Sequence, residues 1–521
     1  MQRSLFLAAS GVLGIVGVLG MACGDAAPTD TPDASLDASV EATTADVRSE
    51  NLLPPPGDAS KRQCTLDNGD DPVLLCTQKL ILKAVHDAVF VANTGVLTSW
   101  DATSFAPDTN GSGGYAHDVH DDAAFARACA TYGASATHYG DTELTQTLDL
   151  DLVALVPIIK AQLATLPDEY AGDLYADLRG AATGLRILSR NDDAAAFDAL
   201  GDAIGKAILA HFVSLSGTSL DGGVSDAGGG GFDAGDAGDA GTLPQGDGVL
   251  ASDATKKDYA PDQVATGALA LLDMAVRHTT DDPANALRYV SAAQQSFDHL
   301  YLRGRDPKTL LYYRLLTPSA AAGADDLSPR AGVPADLLAT ATTGGVALAL
   351  LRANDLVLAN LKSGGPIRLV ANYPFADRGN EALKALNGKP SLYDTDKGYM
   401  EGYVPSTGTL LTNKPTRANT LVFTAIHRAN VVGVSPYGPQ LKLLRSVLSA
   451  RAPLGAGLLT ASPGQTAFYA SVAQDFSVPP ASYTIGDAGN VGPFVAHPNS
   501  YVTSAVTSAV DAFEEEWNGY P

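Results

Sequence analysis

Helical periodicity dominates most of this chain. Apolar residues recur at intervals of three and four along about ten to twelve segments, which is the spacing of one face of an α-helix. The clearest stripes lie at 264–276 and 418–432, and Pro261 and Asp262 stand ahead of the first stripe, as first-turn residues do. Serial helical hairpins of this kind predict an all-α fold, either a helical toroid or a superhelix of stacked pairs.

Short β-like loops rich in glycine and aromatic residues separate the predicted helices, and no fixed sequence period relates one helix to the next. The missing period weighs against a regular repeat array. In the first half of the chain the predicted helices cover about 72–92, 118–138, 142–164, 169–190 and 192–215. In the second half they open at Pro261 and Pro283 and then cover 335–361, 418–432, 439–450 and 500–517.

Two stretches of low complexity divide the chain. Residues 23–63 are rich in Asp, Ala, Thr, Ser and Pro, so they cannot bury enough surface to offset their ordering entropy, and we expect a disordered tether. Residues 216–255 hold a glycine run and an Asp-Ala-Gly triplet repeat, which predict a flexible linker. The helical regions are then 64–215 and 256–521. Whether these two regions pack as one body stays open.

The first 22 residues have the pattern of a signal peptide. Arg3 supplies a positive charge, 5–20 is an unbroken run of apolar and small residues, and Cys23 follows directly. A cysteine at the cleavage point makes the segment resemble a bacterial lipoprotein signal. That resemblance implies that Cys23 is the mature N-terminus and carries lipid. We therefore expect a membrane-anchored protein of the cell envelope, facing the periplasm or the exterior.

The charge of the chain excludes two classes of partner. The formal net charge of −24 would repel nucleic acid and anionic membrane surfaces, so membrane attachment would come from the lipid. The phosphate-binding pattern G-x-x-x-x-G-K and the nucleophile pattern G-x-S-x-G do not occur, which argues against a bound nucleotide and α/β-hydrolase chemistry. We expect no cofactor.

Besides Cys23 the chain has three cysteines. Cys64 and Cys76 are close in sequence, and a disulfide between them would tie the tether to the first helix. Cys129 lies in a helical apolar pattern and is predicted to be a buried free thiol.

The densest group of metal-ligand residue types runs from His117 to Asp122. His117 and His120 share a helix face, and a nearby carboxylate would be needed to complete a metal site. Acidic residues at a helix start also cap the helix and complement its dipole, which is the simpler interpretation. The metal site is therefore a weak candidate, and we predict none.

The C-terminal region resembles the six-hairpin (α/α) toroid glycosidases and epimerases. The segment 257–263 (KDYAPDQ) is similar to their acidic and aromatic entry segments, 305–313 (RDPKTLLYY) looks like the turn after their second helix, and 417–421 (RANTL) opens a helix of their inner type. The adjacent Asp-Asp pair of one mannan-degrading branch is not found in the entry segment, where Pro261 intervenes.

A glycosidase requires two carboxyl groups on either side of the scissile bond, one protonated and one ionised. The resemblance implies that they lie on the loops at one end of the toroid. The candidates there are Asp394, Asp396 and Glu401, with Asp258 and Asp262 as possible partners. The simpler interpretation makes Asp262 a first-turn charge and makes Asp394 and Asp396 turn residues.

Aromatic residues accompany these acids, and flat apolar rings are what a sugar site needs for stacking. We predict Tyr399, Tyr403 and Trp100 as ligand-binding residues. The sequence thus predicts a lipid-anchored protein that handles carbohydrate, and two functions stay open. One is a glycoside hydrolase that uses a carboxylate pair. The other is a non-catalytic lipoprotein that binds a glycan or a protein, or serves as a scaffold.

Overall fold

Eleven α-helices account for most of the residues that the structure describes. They are α1 (Val73–Ala88), α2 (Val119–Tyr139), α3 (Glu143–Thr165), α4 (Gly172–Ile187), α5 (Asn191–Ala210), α6 (Pro261–Arg277), α7 (Pro283–Arg303), α8 (Thr340–Asn360), α9 (Phe375–Leu386), α10 (Thr416–Val431) and α11 (Gly438–Ser449). This structure, a computed structural model, describes residues 73–97, 99–101, 118–139, 143–165, 172–214, 248–251, 259–318, 327–329, 336–395, 397–431, 433, 437–449, 471–472, 484–485, 494–495 and 499–501.

The helices form two concentric layers. The even-numbered helices α2, α4, α6, α8 and α10 pack side by side in chain order, and each is also paired with the odd-numbered helix that follows it. Helix α1 contacts α11 as well as α2 and α3, so the last described hairpin returns to the first. This closure makes the fold an (α/α) toroid with the even-numbered helices inside, and the all-α prediction is confirmed.

The two ends of the toroid differ in their connections. Inner helices lead to outer helices through short links such as 188–190 and 278–282. Outer helices return to inner helices through longer segments at 211–260, 304–339 and 387–415, whereas only the six residues 166–171 join α3 to α4. Since short links make the helices of a hairpin antiparallel, all inner helices run the same way. Their N-termini therefore share one end, together with the long loops.

Short β-strands lie in the connections from outer to inner helices and after α11, and all of the described strand pairs are antiparallel. The strands are β1 (Phe90–Val91), β2 (Gly95–Val96), β3 (Ser99–Asp101), β4 (Phe212–Ser214), β5 (Gly248–Leu250), β6 (Leu316–Pro318), β7 (Leu327–Pro329), β8 (Leu338–Ala339), β9 (Tyr393–Asp394), β10 (Gly398–Tyr399), β11 (Gly402–Val404), β12 (Thr409–Leu411), β13 (Lys414–Pro415), β14 (Ser471–Val472), β15 (Thr484–Ile485), β16 (Phe494–Val495) and β17 (Asn499–Tyr501). In the three-stranded sheet β8–β11–β12, strand β8 directly precedes α8.

One hydrophobic core joins the two predicted regions. A single cluster of buried residues includes Leu82 and Leu178 before the predicted linker and Leu271 and Leu444 after it. The segment predicted as a linker at 216–255 also contains a buried strand, because β5 pairs with β4 and lies entirely in the interior. Its apolar residues Val249 and Leu250 are the physical reason, since they gain more from burial than a polar linker would.

The helix predictions for the described segments agree with the structure to within a few residues at most ends, and two findings differ from them. Helix α9 was not predicted, although Ala382, Leu383 and Leu386 form a buried stripe on it. The helix predicted at 500–517 lies outside the described residues except for its first two positions, which belong to β17. Cys129 is fully buried as a free thiol, as predicted.

No helix in the described part of the chain is both long and apolar enough to span a membrane. Cys64 and Cys23 lie outside the described residues. Cys76 belongs to α1, but its side chain does not belong to the described part, so the predicted disulfide stays a prediction.

Helices α4 and α6 touch through a glycine. A Cβ atom added at Gly172, the first residue of α4, would lie 2.3 Å from the carbonyl carbon of Thr266 in α6. That atom belongs to the backbone and cannot be moved by a side-chain rotation. The absence of a side chain at Gly172 is what allows the two inner helices to start so close together.

We expect Gly172→Ala to lower the free energy of unfolding by about 1–3 kcal/mol, because overpacking outweighs the higher helix propensity of alanine. Thermal and urea denaturation would measure the change. Gly438→Ala is the matched control, since Gly438 is also the first residue of a helix but has no neighbour within 4 Å of an added Cβ. Equal stabilities for the two variants would contradict the close approach.

Candidate active site

The first turns of the inner helices bring charged residues together at the long-loop end. Helix α4 contributes Asp173, α6 contributes Asp262, and α10 contributes Arg417. Helices α4 and α10 are not neighbours in the ring, because α6 and α8 lie between them. A contact between their side chains must therefore cross the interior of the toroid.

Arg417 makes that contact. Its Nη2 atom lies 3.6 Å from Asp173 Oδ2 and 3.9 Å from Asp262 Oδ2. Because one nitrogen is this close to both oxygens, the two carboxylate oxygens are at most about 7.5 Å apart. Both distances exceed a hydrogen bond, so the guanidinium acts on the two carboxylates mainly through its charge.

Asp262 is the less exposed of the two carboxylates. Its side chain is 19 % exposed, whereas that of Asp173 is 52 % exposed. A Cβ atom at Gly345 of α8 would lie 2.9 Å from the Asp262 Cβ, so α8 packs tightly against it. Burial raises the pKa of Asp262, Arg417 partly lowers it, and Asp173 raises it further. The pair thus combines one desolvated carboxyl group with one that solvent reaches.

This arrangement suits acid–base chemistry on a bond held between the two groups. Retaining glycosidases place their carboxyl groups about 5–5.5 Å apart and inverting ones about 6.5–9.5 Å apart, and the upper limit of about 7.5 Å admits both. A carboxyl group whose pKa is raised by burial, close to a second and more exposed carboxylate, has the surroundings of a general acid. Asp262 was predicted as a candidate, whereas Asp173 was not.

Asp394, another predicted carboxylate, has a counter-ion. Lys414 Nζ lies 3.2 Å from Asp394 Oδ2, and the lysine side chain is 0 % exposed. Burial lowers the pKa of Lys414, and Asp394 opposes that effect. The ion pair ties the β9–β10 hairpin to β13, the strand that leads into α10. This geometry favours a structural role for Asp394.

Glu401 adjoins the start of α8. It is buried, its backbone carbonyl accepts a hydrogen bond of 2.9 Å from the Thr340 N–H, and its Oε2 lies 3.4 Å from Asn413 Nδ2. The residue therefore belongs to the same end of the toroid as Asp262. Asp258 and Asp396, the two remaining carboxylate candidates, lie outside the described residues.

The predicted aromatic residues differ in their surroundings. Tyr399 is 0 % exposed, its N–H donates to Asn419 Oδ1 at 2.8 Å, and its hydroxyl bonds Asn387. Its ring is enclosed by protein and offers no face to a ligand, which corrects the prediction for this residue. Tyr403 is partly buried in β11. Trp100 lies in β3, where only its backbone belongs to the described part.

The His117–Asp122 cluster has a structural function where it is described. Asp122 accepts hydrogen bonds from the Val96 N–H at 2.8 Å and from Gln162 Nε2 at 2.9 Å, and burial raises its pKa to about 6. His120 lies in the first turn of α2, and His117 lies outside the described residues. Among the described residues no group of three metal-ligand side chains occurs.

Sequence reasoning did not single out Asp173 and Arg417 of the candidate site, nor Lys414, the buried counter-ion of Asp394. The signal for Asp173 was its position near the start of a predicted helix, the same kind of signal that singled out Asp262. Nothing in the sequence told which first-turn charges meet across the ring, because that depends on the closure of the toroid.

No family model and no curated protein sequence matches the chain. Among solved structures, an unsaturated glucuronyl hydrolase specific for heparin matches with a TM-score of 0.52 at 10 % identity, over 86 % of this chain and 97 % of that one. A D-mannose isomerase matches with a TM-score of 0.49 at 12 % identity, over 85 % and 97 %. A family 76 glycoside hydrolase from a bovine Bacteroides thetaiotaomicron strain matches with a TM-score of 0.49 at 10 % identity, over 86 % of this chain and 78 % of that one.

At these identities the likeness concerns the fold. The chain is an (α/α) toroid of the architecture seen in the glucuronyl hydrolase, and the predicted toroid is confirmed.

We expect Asp394→Asn to lower the free energy of unfolding by roughly 2–3 kcal/mol, because it leaves the buried Lys414 charge without a counter-charge. The partial exposure of Asp394 keeps the loss below that of a fully buried pair. The double variant with Lys414→Met should regain most of that stability. Urea denaturation measures both. A variant that keeps its stability and loses only an activity would instead make Asp394 catalytic.

Proposed function

We propose that this protein is a carbohydrate-active enzyme, a glycoside hydrolase whose carboxylate pair is Asp262 and Asp173. The observation that carries the proposal is the single guanidinium of Arg417 within 4 Å of both carboxylates across the interior of the ring. A carbohydrate is the substrate class because the glucuronyl hydrolase that shares the fold cleaves a glycan by its name. The reaction itself rests on the pair and its spacing.

The two carboxylates have different roles in this proposal. Asp262 is the general acid, because its burial favours the protonated form that can donate to a departing sugar oxygen. Asp173 is the second carboxylate, because its greater exposure lets a sugar or a water molecule approach it. Both carboxylates belong to first turns of inner helices, at the end of the toroid where the outer helices return to the inner ones.

The test is a hydrolysis screen followed by two substitutions. Purified protein is incubated with a panel of p-nitrophenyl glycosides, α-1,6-mannotetraose and unsaturated disaccharides from heparin. Once a substrate is found, Asp262→Asn and Asp173→Asn should each lower kcat by about 10²–10⁴-fold, the usual loss for a general acid or base. Asp192→Asn is the matched control, since Asp192 is also a first-turn acid but belongs to the outer helix α5.

Two outcomes would contradict the proposed hydrolase function. Glycan binding without turnover by any member of the panel would favour the alternative, a non-catalytic protein that grips a glycan or a partner. Full activity of Asp262→Asn would remove the proposed acid. The pH profile gives a further check: because the pKa of Asp262 is raised, activity should persist above the range of an ordinary Asp and fall as the pH rises through that raised value.

We also propose that the protein is attached to a membrane of the cell envelope through lipid on Cys23. The sequence pattern of the first 23 residues supports this anchor. Mass spectrometry of the mature protein, expressed in a bacterial host, should detect an N-terminal peptide that begins at residue 23 and carries acyl chains. Cys23→Ser should move the protein from the membrane fraction to the soluble fraction. An unmodified Cys23 peptide would contradict the anchor.

A further inference from the structure

Arg417 is placed to act on Asp262 from an inner helix two places along the ring. It is the second residue of α10, its side chain is 44 % exposed, and its guanidinium reaches past α8 to within 3.9 Å of Asp262 Oδ2. Within the described residues, the charged groups that face Asp262 are Arg417 from α10 and Asp173 from α4. Helix α8 faces Asp262 with Gly345, which carries no charge.

The charge balance of this trio changes when Asp262 loses its proton. With Asp262 protonated, one positive charge faces one negative charge. With Asp262 ionised, one positive charge faces two negative charges less than about 7.5 Å apart. The ionised state is therefore the one that depends most on Arg417, since without the guanidinium the two carboxylates would repel each other with no cation between them.

In glycoside hydrolysis this ionised state follows the step that breaks the bond. The proton moves from Asp262 to the glycosidic oxygen while the bond between that oxygen and the anomeric carbon breaks, its electron pair passing to the oxygen. The anomeric carbon bonds either to a water that gives its proton to Asp173, or to Asp173 itself, from which a later water displaces it while giving its proton to Asp262. In both routes, Asp262 is a carboxylate in a partly desolvated position once the glycosidic bond has broken.

We propose that Arg417 is a positioning residue that stabilises the carboxylate formed on Asp262 after it donates its proton. The inference rests on the proposed hydrolase function and assigns Arg417 a regulatory effect on the acid rather than a contact with the substrate. Without the guanidinium, Asp262 holds its proton more tightly and donates it less readily.

The experiment compares Arg417→Gln and Arg417→Lys with a matched control. Arg186→Gln is that control, because Arg186 has a similar exposure of 47 % and also pairs with an aspartate, Asp198, but lies in the last turn of α4. Circular dichroism confirms that each variant is folded. The pH profile of kcat/KM is measured with the best substrate of the panel, and ¹³C-carboxyl NMR follows the titration of Asp262, assigned by difference with Asp262→Asn.

Arg417→Gln should move the alkaline limb of the profile and the NMR midpoint of Asp262 upward by about one pH unit. This is the lower end of the pKa shift that a neighbouring opposite charge causes in a carboxyl group. It should also lower kcat, while Arg417→Lys falls between it and the wild type and Arg186→Gln matches the wild type. An unmoved midpoint would overturn the inference, and so would a raised KM with an unmoved limb, which would make Arg417 a substrate ligand.

The NMR measurement needs no substrate, so the two proposals fail separately. A shifted midpoint in a protein that hydrolyses nothing would sustain the effect of Arg417 on Asp262 and overturn the hydrolase. If Arg417→Gln did not fold, Arg417→Lys would test the inference instead. The shorter lysine side chain brings its charge less close to Asp262, so the titration midpoint of Asp262 should still rise by a measurable fraction of a pH unit.

Discussion

The inner helices of the toroid start at one end of the ring, and the charges of their first turns are held there in a narrow space. Two glycines make this space narrow: Gly172 brings α4 against the backbone of α6, and Gly345 brings α8 against Asp262. Asp173, Asp262 and Arg417 meet as a consequence of this packing. The candidate site is thus built by the geometry of the inner helices.

Two kinds of polar residue occupy this end of the toroid, and burial separates them. Lys414 pairs with Asp394, and Asp122 accepts hydrogen bonds from Val96 and Gln162, so these groups interact inside the protein and hold loops to helices. Asp173 and Arg417 remain substantially exposed, with contacts longer than hydrogen bonds. Asp173 and Arg417 can therefore still form hydrogen bonds with a ligand, because their contacts with each other do not use that capacity.

Much of the fold could be predicted from the sequence, because the spacing of apolar residues identifies amphipathic helices. The helical hairpins and most helix bounds followed from apolar stripes such as that of α10, which left a toroid and a superhelix both open, while the short α9 and the buried strand β5 were missed. The site was harder, since nothing local distinguishes Asp262, which meets Arg417 across the ring, from Asp192, which begins an outer helix. Tyr399 was misjudged for a related reason: its aromatic ring suits a sugar, but the β9–β10 hairpin turns it into the core.

The central claim is that Asp262 and Asp173 lie on either side of the bond that is broken. The most direct measurement is a crystal structure of the Asp262→Asn protein with the best oligosaccharide substrate of the panel. The account predicts the glycosidic oxygen within hydrogen-bond distance of the residue 262 side chain, and the anomeric carbon facing Asp173. A sugar bound elsewhere, with neither carboxylate position in contact with it, would contradict the account.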